Sequence, residues 1–200
     1  MALRRQTRKD HPDWYNGAVP SIGPETAQLL IIGLAPGLKG AHRTGLPFTG
    51  DASGDLLFET LGRFGFTRPR DKADLDQHPQ LASVMITNAV RCVPPQNKPN
   101  AEEINTCRQF LSGRIAGLSR LKVLLPLGRI AHESTLRALG LALRDYPFRH
   151  GANYQLTHKG RALTLVCSFH CSRYNVNTRR LTPAMFDAVF ADVKTMLARG

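Results

Sequence analysis

Four short apolar runs recur along the 200-residue chain, and each is followed by a polar loop. They are QLLIIG at 28–33, SVMITN at 83–88, KVLLPLG at 122–128 and ALTLVC at 162–167. Their apolar residues are nearly continuous rather than alternating, which is typical of strands buried on both faces. The pattern therefore predicts four central strands.

Helical patterns separate and follow these runs, at 54–65, 100–118, 129–140 and 181–200. In the last segment Thr182 is placed as an N-cap and Pro183 as the first helical residue. Alternating strands and helices predict right-handed crossovers and a mostly parallel sheet covered on both sides. The length fits one domain over residues 1–200.

The chain is strongly basic and begins with a basic segment. Lys and Arg number 27 against 15 acidic residues, a formal net charge of +12. Such an excess attracts polyanions, of which nucleic acid is the commonest, although a basic surface that serves solubility is an alternative. We expect residues 1–10 to be a flexible basic arm. No signal peptide or transmembrane run is recognisable, so we expect a cytoplasmic protein with no membrane partner.

Ligands of such sheets gather at the carboxyl ends of the strands, so the loops that follow the strands are the candidate site. The first loop opens with the glycine-rich turn at 33–40, GLAPGLKG, whose backbone N–H groups can approach a ligand closely. Its spacing matches neither a P-loop nor a dinucleotide fingerprint. Three of the four loops are dense in Gly, Asn, His and Arg, and we expect them to form one site.

Three residues of these loops each have two interpretations. Asp51 is either an acid that stabilises a helix N-terminus or a carboxylate that acts as a base or faces a developing cation. Asn88, at the end of a strand, either satisfies a turn or reads a base edge with its donor and acceptor. Phe48 belongs either to the core or to a stack on a planar ring.

The fourth loop carries a histidine, His170, and then a run of polar and basic residues. Those that we interpret as phosphate and groove contacts are Ser172, Arg173, Asn175, Asn177, Arg179 and Arg180. Tyr174 lies among them as an aromatic side chain that could enter a base stack.

Three long segments, at 33–55, 87–111 and 169–190, together resemble the uracil-DNA glycosylase superfamily, and most of all its family 5, iron–sulfur-type bacterial enzymes. The resemblance runs from about Trp14 to the C-terminus. It implies an α/β fold, a three-layer α/β/α sandwich with a four-stranded, mostly parallel central sheet. It also implies a monomeric enzyme that hydrolyses the N-glycosidic bond of uracil in double- or single-stranded DNA.

The resemblance also implies roles for single residues. Asp51 would position the attacking water and His170 would donate to uracil O2, as the catalytic pair. The base would be bound by the backbone at Ala35, by the Phe48 ring and by the Asn88 amide. The residues implied to contact DNA are Ser172, Arg173, Tyr174, Asn175 and Arg179.

This sequence departs from the family in its first motif and in its cysteines. Leu34 and Ala35 stand where most families hold polar or acidic residues, and Cys171 stands where a proline is usual. The iron–sulfur relatives bind a [4Fe–4S] cluster through two N-terminal cysteines and two at the positions of Cys92 and Cys107. No cysteine precedes Cys92 in this sequence, so we expect no metal site and no cofactor.

Two alternatives to a uracil-specific enzyme stay open. One is a broader glycosylase for deaminated bases, which also removes hypoxanthine or xanthine. The other is a protein that binds uracil or abasic sites in DNA without cutting.

Overall fold

A five-stranded sheet lies at the centre of the computed structural model, which describes residues 2–68 and 80–198. The strands are β1 (Leu29–Gly33), β2 (Val84–Asn88), β3 (Val123–Pro126), β4 (Asn153–His158) and β5 (Arg161–Val166). Their spatial order is β2-β1-β3-β5-β4. All neighbouring pairs are parallel except β4 and β5, which are antiparallel. The mostly parallel sheet is confirmed, with one strand more than predicted.

The additional strand is β4, at one edge of the sheet. Only Leu156 of its six residues is fully buried, because one face of the strand is covered and the other meets solvent. A polar sequence with a single buried leucine has no continuous apolar run, and for this reason the prediction of four strands was wrong by one.

Helices cover the sheet on both faces. The helices of the described residues are α1 (Ala2–Asp10), α2 (Ala41–Thr44), α3 (Ala52–Arg63), α4 (Ala101–Gly117), α5 (Arg129–Leu139), α6 (Arg173–Asn177) and α7 (Pro183–Ala198), of which α3, α4, α5 and α7 pack on the sheet. Side chains of a strand alternate between its two faces. Leu29 and Ile31 accordingly pack in the cluster that includes residues of α3 and α7, whereas Leu30 and Ile32 pack with α4 and α5. The three-layer α/β/α arrangement is therefore confirmed.

Local signals set the helix ends. Thr182 Oγ1 accepts a hydrogen bond from the backbone N–H of Met185 at 3.2 Å, and Pro183 begins α7, as predicted. At the start of α4, Asn100 and Glu103 form a reciprocal capping box. No helix in the described part of the chain is both long and apolar enough to cross a membrane.

The N-terminal segment is ordered differently from the prediction. The residues for which we expected a flexible basic arm form α1, where the structure describes them, and contact the body of the protein. The buried Thr7 hydroxyl lies 2.9 Å from Nε2 of His42, and Arg4 Nε donates to the carbonyl of Asn16 at 3.3 Å. These contacts join residues distant in sequence, so the basic character of the segment could not reveal them.

The parallel register brings the ends of four strands to one edge of the sheet. Gly33 at the end of β1 is opposite Asn88 at the end of β2. Leu127, directly after β3, bridges to Ser168, two residues after the end of β5. The loops that follow these strands therefore meet, as the sequence predicted.

Candidate active site

A cavity of about 320 Å³ lies at this edge of the sheet. Its volume is at the lower end of the range for small-molecule sites and is sufficient for one nucleobase. Residues from the ends of β1, β2 and β5 and the loops that follow them line it: Leu34, Ala35, Pro36, Gly37, Ala41, Phe48, Asp51, Ser53, Asn88, Asn97, His170 and Ser172. The five residues predicted to bind or attack a base are all in this set.

Gly33 lets the Asn88 amide and the Phe48 ring approach each other at the floor of the cavity. A Cβ atom on Gly33 would overlap Oδ1 of Asn88 and lie 2.8 Å from the Phe48 ring. Asn88 is only 6% exposed, and within residues 2–68 and 80–198 its side-chain amide has no hydrogen-bond partner. Since buried polar groups are nearly always paired, this amide is available to hydrogen-bond a ligand in the cavity.

We predict that Gly33→Ala lowers the free energy of unfolding by about 1–3 kcal/mol, because the methyl group forces Asn88 and Phe48 apart. The matched control is Gly113→Ala, since a Cβ atom on Gly113 in the exposed part of α4 meets nothing within 4 Å. That control is expected to stabilise by about 0.5–1 kcal/mol. Urea titrations of both variants measure the difference, and equal midpoints would contradict the close contact.

Phe48 has an uncommon backbone conformation. Its φ angle is +58°, in the left-handed region that costs a bulky residue about 1–3 kcal/mol. Gly54 of α3 packs against the same backbone, because a Cβ atom there would overlap the carbonyl oxygen of Phe48. The ring of Phe48 lies 6.0 Å from that of His170, centroid to centroid, with 22° between the planes. The fold thus holds an aromatic face at the cavity.

His170 presents its imidazole to the same cavity. No hydrogen-bond partner of its ring nitrogens lies among the described residues, and its backbone carbonyl accepts from Nδ2 of Asn175 at 2.8 Å. Burial lowers the pKa of His170 below 6.5, and the nearby Asp51 carboxylate acts in the opposite direction. A neutral imidazole offers one N–H donor and one acceptor, so His170 can donate to a ligand at neutral pH.

Asp51 has two contacts that match its two interpretations. Its Oδ1 atom caps α3 by accepting from the backbone N–H groups of Ser53 and Gly54, at 2.9 and 3.0 Å. The N-cap interpretation is therefore confirmed. Its Oδ2 atom faces the glycine-rich turn, where Cβ atoms on Gly37 and Gly40 would lie 3.5 and 3.6 Å away. One oxygen of the exposed carboxylate thus stays available to water in the cavity.

The glycine-rich turn contributes shape and a backbone donor. Ala35 lines the cavity, and its backbone N–H has no hydrogen-bond partner in the described part of the chain. Together with the His170 imidazole it can provide two N–H donors for one ligand oxygen.

The loop that follows His170 separates into exposed and internal side chains. Arg173, Tyr174 and Arg179 are exposed, and Tyr174 reaches 71%. Ser172 caps α6 by accepting from the N–H of Asn175 at 3.3 Å and also lines the cavity. The Asn175 amide donates to the His170 carbonyl, so this side chain forms a hydrogen bond within the loop. Contact of these residues with DNA stays a prediction.

Asn97 is a cavity residue that the sequence did not single out. It ends a short 3-10 turn, Pro95–Asn97, and has a φ angle of +57°. The Pro-Pro-Gln-Asn run at 94–97 is typical of a turn, and this turn signal is the sequence feature that indicates a special backbone conformation at Asn97.

Two of the four cysteines are buried thiols with structural contacts. Burial raises the pKa of Cys167 to about 11 and that of Cys171 to about 12, so both stay protonated. Cys171 donates to the carbonyl of Ser53 at 3.3 Å and thereby ties the His170 loop to α3. Cys167 lies 3.4 Å from Nδ1 of His132.

Cys92 and Cys107 are free and half-buried, and they do not by themselves fit a four-thiolate cluster. The guanidinium of Arg4 donates to Sγ of Cys92 at 3.3 Å. Over the described ranges, no group of three or more His, Cys, Asp or Glu residues could hold a metal ion. These residues supply at most two of the four ligands that such a cluster needs. The expected absence of a cofactor stays a prediction, which visible absorption and iron analysis of the purified protein can check.

Among the described residues, four histidines with burial-lowered pKa values predict a decrease in stability at mildly acidic pH. They are His42, His132, His150 and His170, all lowered from 6.5. As the pH falls through about 6.5, the unfolded chain binds protons that the folded imidazoles resist, so the free energy of unfolding declines. Urea midpoints at about pH 7.5 and about pH 5.5 measure this change. A midpoint that rises or stays constant at the lower pH would contradict it.

The site is a cavity for one base at the edge of an α/β/α sandwich, and it contains an aromatic face, a buried amide and a histidine–carboxylate pair. These features are typical of enzymes that act on single nucleobases. The Uracil DNA glycosylase superfamily model matches residues 20–194. The chain belongs to this superfamily.

Known relatives support this assignment, and their similarity extends over most of the chain. The chain is 41% identical to a type-5 uracil-DNA glycosylase of Thermus thermophilus over 193 residues, which is 96% of this chain and 86% of that protein. It is 38% identical to a type-5 uracil-DNA glycosylase of Mycobacterium leprae, over 97% of this chain and 84% of that protein. A type-4 uracil-DNA glycosylase of Pyrobaculum aerophilum is 32% identical over 76% of this chain and 70% of that protein.

Proposed function

We propose that this protein is a DNA repair glycosylase that flips uracil out of DNA and hydrolyses its N-glycosidic bond, leaving an abasic site. The observation that carries the proposal is the Asn88 amide, which is buried, has no partner among the described residues and lies beside the Phe48 ring. Membership in the superfamily and the type-5 relatives support the same activity.

The cavity fits a pyrimidine that has left the base stack. A base inside the duplex is out of reach, so it must be extruded at a cost of a few kcal/mol. The Phe48 ring then stacks on the base, which recovers part of this cost. Asn88 offers an acceptor to uracil N3–H and a donor to O4, whereas cytosine presents the opposite pattern at these positions. In this orientation the amide favours uracil over cytosine.

The reaction needs stabilisation of two developing charges. When the bond between C1′ and N1 breaks, its electron pair goes to the base and negative charge accumulates on uracil O2. N–H groups of His170 and Ala35 at that oxygen stabilise the transition state more than the ground state. Each donor of this kind is worth about 100- to 1,000-fold in rate.

Asp51 acts on the sugar side of the bond. Its free Oδ2 atom orients a water molecule toward C1′, and its negative charge offsets the cationic character of the sugar. Uracil leaves as its anion, water adds its oxygen to C1′, and one proton of this water passes to the Asp51 carboxylate. The carboxylate returns its proton to solvent, and the uracil anion takes up a proton from solvent. The products are free uracil and an abasic deoxyribose. No step of this scheme is assigned to the cysteines.

Charge and loop position support DNA as the partner. The net charge of +12 favours a polyanion, and the exposed Arg173, Tyr174 and Arg179 lie on the loop that begins at the cavity. We propose that Tyr174 fills the space left by the extruded base. We further propose a monomer that acts in the cytoplasm on single- or double-stranded DNA.

The proposal is tested with an oligonucleotide that carries one uracil, incubated with the protein in EDTA and then treated with alkali. Strand breaks at the uracil, and none in a thymine control, are the expected result. Parallel hypoxanthine and xanthine substrates determine whether the enzyme is a broader deaminated-base glycosylase. Tight binding to the uracil substrate without strand breaks would contradict the proposal and would favour a protein that binds damage without cutting.

A further inference from the structure

The residue directly before His170 is held by His150, which has no role above, and by Arg180, which the sequence suggested as a phosphate contact. The ring of Phe169 stacks on the imidazole of His150, with 4.9 Å between centroids and 12° between the planes. The guanidinium of Arg180 also lies over the Phe169 ring, 4.9 Å from its centroid. The half-buried Phe169 is thus fixed by a histidine from the loop before β4 and by an arginine from the segment between α6 and α7.

His150 also binds the backbone of this residue. The backbone N–H of Phe169 donates to Nδ1 of His150 at 3.1 Å. This bond requires an unprotonated Nδ1 atom, with the ring hydrogen on Nε2. Burial lowers the pKa of His150, while a backbone hydrogen bond with Met185 acts in the opposite direction. The lowered pKa keeps the imidazole in the neutral form that can accept at neutral pH.

Side-chain hydrogen bonds therefore fix the backbone at Phe169, directly before His170, and at the His170 carbonyl. Nδ1 of His150 accepts from the backbone N–H of Phe169, and the Asn175 amide donates to the His170 carbonyl at 2.8 Å. The ring of His170 has no hydrogen-bond partner of its own within the described residues. The direction of the ring consequently depends on these backbone contacts and on packing, such as the contact with Phe48.

We propose that His150 is a positioning residue for His170: it holds the backbone N–H of the preceding residue, Phe169, so that the His170 imidazole points at the oxygen of the substrate. This inference rests on the proposed function. A catalytic donor that moves by about 1 Å can lose up to about 100-fold in rate, and the second anchor at Asn175 limits the movement. Loss of the His150 acceptor is therefore expected to slow uracil release by about tenfold.

Three substitutions distinguish the role of the His150 Nδ1 acceptor from that of the His150 ring. His150→Phe keeps an aromatic ring beside Phe169 but removes the acceptor, and His150→Leu removes both. His150→Asn places an amide oxygen close to the position of Nδ1, so it should keep the rate within about threefold of wild type. The matched control is His158→Phe on the edge strand β4, for which no change is expected. All are compared by single-turnover uracil release and by affinity for DNA with an abasic-site analogue, which should change less than about twofold.

A double-mutant cycle distinguishes positioning from a general loss of structure. In the His170→Ala background, His150→Phe should slow release less than about twofold, because the group that it positions is absent. An equal loss in both backgrounds, or a wild-type rate for His150→Phe and His150→Leu, would overturn the inference.

Amide hydrogen exchange provides a readout that does not depend on activity. The Phe169 amide should exchange faster in His150→Phe and His150→Leu than in wild type, and near the wild-type rate in His150→Asn. Unchanged exchange in the first two variants would overturn the inference. If wild type releases no uracil, the proposed function fails, and the exchange data still decide whether His150 anchors this peptide.

Discussion

Replacing His170 by alanine is expected to lower the single-turnover rate of uracil release by about 100- to 1,000-fold. The variant loses an N–H donor at the oxygen on which negative charge develops, and this charge is largest in the transition state. Affinity for uracil-containing DNA should stay within a few-fold of wild type, because Phe48 and Asn88 still hold the base. Rapid-quench kinetics at saturating protein and equilibrium binding measure the two quantities.

His158→Ala is the control for this prediction, because it removes a histidine of the edge strand β4, away from the cavity. It should release uracil at the wild-type rate. A His170→Ala protein that binds weakly but reacts at the wild-type rate once saturated would assign His170 to ground-state binding and not to catalysis.

Replacing Asp51 by asparagine is expected to slow uracil release by about 100-fold or more while the protein keeps its stability. Asparagine and aspartate are about equally good N-caps, so the Oδ1 contacts with Ser53 and Gly54 can persist. The variant therefore removes the negative charge and the base on Oδ2 but preserves the start of α3. Asp51→Ala should lose the same activity and, in addition, about 1 kcal/mol of stability with the cap.

The control for charge alone is Asp55→Asn, in the first turn of the same helix. It changes the net charge of the protein by the same amount, and its rate should stay within about twofold of wild type. Full activity of Asp51→Asn would show that the carboxylate is only a helix cap, and the water would then need another group to position it.

The parallel core of the fold was predictable because its strands are buried on both faces. Leu29–Gly33 and Val84–Asn88 are buried at every position, so their apolar runs are continuous. The edge strand β4 escaped prediction because one of its faces meets solvent. The docking of α1 escaped it because the contact between Thr7 and His42 joins two polar residues 35 positions apart.

The same distinction applies to the candidate site. Asp51, Asn88 and His170 could be selected because each lies in a loop or at a strand end on the edge of the sheet where ligands gather. Asn97 and His150 could not. Asn97 reaches the cavity through an unusual backbone conformation, and His150 acts on a backbone amide 19 residues away across the β4–β5 hairpin. Neither relation leaves a periodic pattern in the sequence.

The most direct test of the central claim is a measurement of free base from DNA with one uracil, under single-turnover conditions and with purified protein. Free uracil and abasic sites should appear together in equal amounts, at a rate that falls in Asp51→Asn and His170→Ala but not in Asp55→Asn. DNA that is bound tightly while its uracil stays attached, or release that is unaffected by either cavity substitution, would contradict this activity.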